Sequence, residues 1–159
     1  MSNRKEITKQ LTELLKLHIN PNGDTRIYTA AEVTFDYYSA HPIRVDYMKF
    51  KPVNNSPGGI ERGSFYCYEI KSCKEDFESG HGLNFIGDFN YLVLPEGLYE
   101  ELKRSIPYDV GVYEPSGDIW KPLKCVKKAR QVTRKRSVAE MLLMMFRSSN
   151  RELIKEDNK

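Results

Sequence analysis

Apolar positions along the chain change period several times, and each change marks an element. Ile7, Leu11, Leu14, Leu15 and His18 recur at helical spacing and predict an amphipathic helix over 4–18. Asn3 with Glu6 three residues on fits a capping box at its start, and Asn20-Pro21-Asn22-Gly23 ends it. The pattern then turns to alternation rich in β-branched and aromatic residues, predicting strands over 32–38, 43–50 and 64–71. A turn through Ser39-Ala40-His41-Pro42 joins the first two, and the Pro/Asn/Gly-rich stretch from Lys51 to Gly63 predicts a long hairpin loop. Ser72, with Glu75 as its box partner, predicts a short helix to Glu78 that Gly80 and Gly82 break. Residues 90–94 read as a buried strand, and Pro95-Glu96-Gly97 leads into a helix to Arg104. Strands over 110–113 and 119–126 flank a Pro115-Ser116-Gly117-Asp118 turn, and Ser137 with Glu140 opens a last helix over 138–153.

The predicted order is α-β-β-β-α-β-α-β-β-α, which implies an α/β (α+β) domain: a mixed central sheet, its first three strands an antiparallel meander, flanked by helices. At 159 residues the chain has the length of one domain and can bury a continuous core without staples. The expected division is a body over 1–126 and, over 127–159, a basic linker with a C-terminal helix packed on that same body. Cys67, Cys73 and Cys125 form no C-x-x-C pair, and so sparse, odd a set fits free thiols in a reducing cytoplasm. The charged start from Met1 to Leu11 lacks the apolar stretch of a secretory signal, and the run Met141 to Phe146 is too short to span a bilayer. That run is read as a helix face packed on the body, with a protein-partner surface as the other reading.

Chemistry concentrates on the strand Ser64-Phe65-Tyr66-Cys67-Tyr68-Glu69-Ile70-Lys71. Glu69 and Lys71 are two apart and so project to one side of an otherwise aromatic and apolar strand. Ionised groups are costly there unless paired or metal-bound. Asp46, on the strand before, lies far enough upstream for an antiparallel return to set it beside Glu69. Adjacent carboxylates repel and attract a hard cation with oxygen ligands, Mg²⁺ or Mn²⁺, which would polarise a phosphate oxygen and acidify a bound water. Lys71 would orient that water or neutralise transition-state charge. An E-x-K pair on a strand also arises as a solvent-facing ion pair, which is the structural alternative.

The Asp46…Glu69-Ile70-Lys71 pattern in αβββαβ order resembles the PD-(D/E)XK nuclease superfamily. The longer stretch Tyr68-Glu69-Ile70-Lys71-Ser72…Glu75-Asp76-Phe77, with Asn90-Tyr91-Leu92-Val93-Leu94-Pro95 and Val110-Gly111-Val112-Tyr113, is similar to its MmcB-like DNA-repair and phage-encoded branch. Val45 stands where that motif has proline. The resemblance implies a restriction-endonuclease-like core, a metal-dependent nuclease acting on DNA, Asp46 and Glu69 as metal ligands, the Ile70 carbonyl completing the site, and Lys71 as catalytic lysine. It also implies a helix-borne acid, either Glu13 or Glu6. The rival expectation is a non-catalytic protein of the same fold that binds DNA or a protein partner.

Charge distribution adds a candidate contact surface. Lys121, Lys124, Lys127, Lys128, Arg130, Arg134, Lys135 and Arg136 occur without an intervening acid. The net +3 of the chain less these eight leaves −5 elsewhere. A basic segment on an acidic body fits nucleic-acid backbone contacts, though a solvated strand edge and charged loop would read the same way. Asp76 fits helix-dipole stabilisation or support of the metal, His81 a loop residue or a phosphate contact. His18 and His41 lack partners at zinc-ligand spacing, and Ser72 reads as a cap.

Overall fold

A computed structural model describes residues 3–159; Met1 and Ser2, the start of the predicted 1–126 body, lie outside the described residues. The elements are α1 (Arg4–Ile19), β1 (Tyr28–Phe35), β2 (Ile43–Lys51), α2 (Pro57–Glu61), β3 (Ser64–Ile70), α3 (Lys74–Glu78), β4 (Phe89–Val93), α4 (Leu98–Leu102), β5 (Gly111–Pro115), β6 (Leu123–Lys127) and α5 (Val138–Asp157). The six strands form one sheet in sequence order, antiparallel from β1 to β3, parallel from β3 to β5, and antiparallel again to β6. The chain is thus α+β with a mixed central sheet flanked by helices, as the apolar pattern predicts.

Two apolar layers clamp the sheet. On one face Leu11, Leu15 and Ile19 of α1 meet Tyr47, Tyr68, Ile70, Val93 and Leu123. On the other, Val138, Met141 and Met145 of α5 meet Val33, Phe35, Val45, Met48 and Phe65, while Phe77 of α3 and Leu98 and Leu102 of α4 cover Leu92 and Val112. The long strands supply both layers because alternation sends neighbours to opposite faces. Full burial of each Leu or Phe contributes about 1.5–3 kcal/mol. Beyond the sheet, α5 reaches over the outer edge of β1: Ser148 donates to the Ala31 carbonyl and Arg151 to that of Glu32 at 2.9 Å.

Several predicted boundaries move, each for a local reason. The 4–18 helix keeps its Asn3–Glu6 capping box. The first strand begins at Tyr28 and stops at Phe35, because Asp36 turns left-handed (φ 54°) and accepts from Ser39 at the corner. The predicted loop 51–63 contains α2, which Ser56 caps and Pro57 opens, a role for proline that a breaker reading misses. Cys73, not Ser72, is the N-cap of α3; the Ser72–Glu75 box does not form. Instead the Ser72 amide and hydroxyl both donate to Asp76 (2.9 and 3.1 Å). Ile119 and Trp120 do not join the last strand, which begins at Leu123.

Candidate active site

β2 and β3 hold their ladder from Lys51↔Ser64 to Tyr47↔Tyr68 and then part. Asp46 is the next residue on β2, and its carboxylate takes over from the backbone by accepting from the Ile70 amide at 2.9 Å. Facing chemistry explains why the strands open here. Val45 and Met48 both enter the α5-side core while Tyr47 enters the α1-side core. Strict alternation is therefore broken around Asp46. Across the β1–β2 ladder the corresponding residue, Glu32, is left-handed at φ 50°. Such a conformation costs a non-glycine residue on the order of 1–3 kcal/mol and accumulates at functional sites.

At the C-terminal end of β3, Glu69 is 8% and Lys71 3% exposed. The Lys71 ammonium lies 3.7 Å from Glu69 Oε1 and 4.0 Å from Asp76 Oδ1, and donates to the His81 carbonyl. Burial, then the Asp46 charge and a carboxyl–carboxyl hydrogen bond to Asp46, push the Glu69 carboxyl up to about 9, against the opposing pull of Lys71. Asp76 goes the other way: burial opposes its ionisation, but the Ser72 amide and Lys71 hold it below the usual carboxylate range. Arg4 also pairs with it at 2.9 Å. One acid is therefore neutral at pH 7 and its neighbour across Lys71 is ionised, the separation of environments that acid–base sites require.

These groups line an open cleft of about 450 Å³, with Thr8, Ile43, Arg44, Ile70 and Asn84. The loop after α3 leans over it. Gly82 (φ 79°) sits so close to Glu69 that an added Cβ would come within 2.0 Å of Oε1, and Asn84 donates to the Arg44 carbonyl at 3.3 Å. Arg44 is 3.8 Å from Asp46 and largely exposed.

Asp46, Glu69, Ile70 and Lys71 therefore come together, as the motif predicts. Glu13 does not. It is exposed and lies about 200° around α1 from buried Leu11, at ~100° per residue. Glu6 is occupied in the capping box, and Thr8 is the α1 side chain that reaches the cleft. Among the described residues no group of three or more His, Cys, Asp or Glu is placed to hold a metal. The available donor set is the two carboxylates and a backbone carbonyl, with room for waters; it suits Mg²⁺ or Mn²⁺ better than a closed zinc cage.

The predicted nucleic-acid segment is divided. Arg130 N donates to the Asp109 carbonyl and Val132 N to that of Asp88, both at 2.9 Å, so 128–134 crosses the N-terminal ends of β4 and β5. That end of the sheet is opposite the cleft, roughly 20 Å away along β3 at ~3.3 Å per residue. The chain then returns to the cleft's end at Arg136, whose partner Asp36 follows the Phe35–Ile43 pair. Two of its arginines serve the fold, contrary to the sequence expectation. Arg134 pairs with buried Asp88 at 3.2 Å, and Asp88 in turn accepts from the Phe65 amide at 2.7 Å. Arg136 forms a two-pronged pair with Asp36 (3.0 and 2.8 Å) and meets Glu140 at 3.2 Å. Lys127 donates to the Pro107 carbonyl, Arg130 lies over Tyr108, and Lys124 is 4.0 Å from Glu96. Lys121, Lys128 and Lys135 are exposed, and Lys121 and Lys124, at the start of β6, sit toward the cleft's end of the sheet. Asp88, the hub of the far edge, escaped sequence reasoning because its partners are distant in the chain.

No protein-family model and no curated protein matches the chain. A solved structure, the SPO1766 protein of unknown function from Silicibacter pomeroyi, is similar: TM-score 0.61 at 16% identity, over 96% of this chain and 91% of that one. The likeness is one of fold. Among the described residues no helix is long and apolar enough to cross a membrane.

Proposed function

We propose that the chain is a metal-dependent nucleic-acid phosphodiesterase acting on DNA. The observation that carries this reading is the meeting of Asp46 and Glu69 at the point where β2 and β3 part, with Lys71 beside them in an open cleft. Asp46, Glu69 and the Ile70 carbonyl would hold Mg²⁺ or Mn²⁺, which when bound supplies charge to a phosphate oxygen and acidity to a water. A bound cation would take the place of the Glu69 proton as the neutraliser of the carboxylate pair. Lys71, held by buried packing, aims a fixed positive charge into the cleft where phosphorane charge develops. Arg44 at the rim is placed to meet a phosphate.

One observation favours a second reading, a protein of this fold that binds DNA or a protein partner without cutting. Gly82 packs against Glu69, and Lys71 already donates to the His81 carbonyl, so both groups are enclosed by the protein's own loop. Metal separates the two readings. Calorimetry with Mn²⁺ and single-turnover cleavage of plasmid and branched DNA should show that Asp46→Ala loses both binding and cutting. Lys71→Met should keep Mn²⁺ binding while cleavage falls about 10²–10³-fold. Wild-type protein that neither binds Mn²⁺ nor cuts any substrate would establish the non-catalytic reading.

A further inference from the structure

The β5–β6 hairpin tip carries the two most exposed large apolar side chains of the described residues, Ile119 at 86% and Trp120 at 89%. The tip is a built turn. Ser116 N donates to the Pro122 carbonyl at 3.0 Å, Asp118 N to Ser116 Oγ at 3.0 Å, and Trp120 N to Asp118 Oδ1 at 2.8 Å. Ser116 Oγ also bonds the Lys121 carbonyl. Polar side chains thus fix the backbone in the one shape that leaves both apolar groups in water, where they add nothing to the fold's stability.

Position gives the tip its meaning. β3, β4 and β5 are parallel, so the chain leaves β5 at the same sheet edge where β3 presents Glu69 and Lys71. Two strand spacings, about 10 Å, separate β5 from β3 across the sheet. The tip projects beyond the end of β5 at Pro115, so several nucleotides of stacked strand at about 3.4 Å each would span from the cleft to the ring. Lys121 follows Trp120 directly and is exposed, so a cation suited to a phosphate backbone stands beside the ring; Lys124, a few residues on, also meets Glu96 at 4.0 Å. A bilayer would call for a broader apolar face than two side chains beside two lysines.

We infer that the Ile119–Trp120 tip is a stacking post for an unpaired base, so that the cleft acts on nucleic acid with a single-stranded or frayed segment next to the scissile bond. This rests on the phosphodiesterase reading above for the cleft, while the post itself is tested independently of cutting. Trp120 is the sole tryptophan of the chain, so its fluorescence reports the tip alone. The wild-type protein, in EDTA to prevent cleavage, is titrated with a single-stranded oligonucleotide, a fork with an unpaired arm, a blunt duplex, and vesicles of equal phosphatidylcholine and phosphatidylglycerol. Quenching by the single strand and fork, and not by the duplex, is expected. Affinity for the fork, followed by dye anisotropy, should fall about 5- to 150-fold in Trp120→Ala, recover in Trp120→Phe, and stay unchanged for the duplex. The inference is overturned if duplex quenches equally, if Trp120→Ala binds the fork as wild type does, or if only vesicles perturb the fluorescence. Quenching that persists in a protein inactive with Mn²⁺ would sink the cleft's nuclease reading and leave the post standing. Cutting with no quenching would do the reverse.

Discussion

The two ends of β3 both gather charge, and they do so differently. At the Phe65 end the buried charge is paired: Asp88 meets Arg134 at 3.2 Å and accepts from the Phe65 amide at 2.7 Å. At the Glu69 end Glu69 and Asp76 flank one shared lysine; Arg4 holds Asp76 at 2.9 Å, whereas Glu69 meets Lys71 at a loose 3.7 Å and faces a second acid, Asp46. The first arrangement completes the fold. The second leaves Glu69 beside another acid, its carboxyl kept protonated in place of a close ion pair, an arrangement that an added cation would relieve. Pairing, more than charge density, distinguishes a structural ion cluster from a candidate site.

Breaking the structural end should cost stability first. Arg134→Ala strands Asp88 in the core, and removal of one partner of a buried pair costs about 3–5 kcal/mol. Urea melts should show that loss while cleavage per folded molecule stays near wild type; a neutral effect would mean that Asp88 is satisfied by the Phe65 amide alone. The cleft end should respond with the opposite sign. Between the ordinary carboxyl value and about 9, Glu69 is protonated in the folded chain and ionised in the unfolded one. The folded state therefore binds the extra proton, and stability falls as pH rises through that window, then levels off above it. In EDTA at pH 8, Glu69→Gln should gain on the order of 1 kcal/mol or more, roughly 2–4 °C per kcal/mol in Tm. Mn²⁺ should stabilise wild type increasingly up to about pH 9 and the variant little. Thermal melts at pH 5 and pH 8 decide it, and a wild type that gains stability with pH over that range refutes the assignment.

The smallest effect belongs to the exposed lysines. Where Lys121 meets a phosphate, Lys121→Ala should flatten the log-log salt dependence of duplex binding by about 0.9. The same change at Lys128, on the far edge, should leave it unaltered. Equal slopes for both would show that nucleic acid wraps both edges and that the contrast between them is not functional.

What the sequence disclosed follows the range of the interactions involved. β3 was legible because alternation and two misplaced charges occur within eight residues, and Asp46 was legible one strand earlier. The Asn3–Glu6 box was legible because capping is local. Arg136 read as a phosphate contact because Asp36 lies 100 residues away, and Arg134 because Asp88 lies 46 away. Ile119 and Trp120 read as strand because they are apolar; the Asp118 and Ser116 side chains, which fix the turn, overrule that propensity. Glu13 is a different case, since the stripe Ile7, Leu11, Leu14 and Leu15 already placed it on the helix's outer side.

The guard over β1 has a consequence for synthesis. Ser148 reaches the Ala31 carbonyl from 117 residues downstream. At 5–20 residues per second that residue leaves the peptidyl-transfer centre roughly 6 to 23 s after its partner. Any meander that forms in that interval lacks this cover, and the free carbonyls of its outer strand would be open to a neighbouring nascent chain on the same message. The cell's ribosome spacing, as much as the finished contacts, would then decide how much of this protein reaches its folded state.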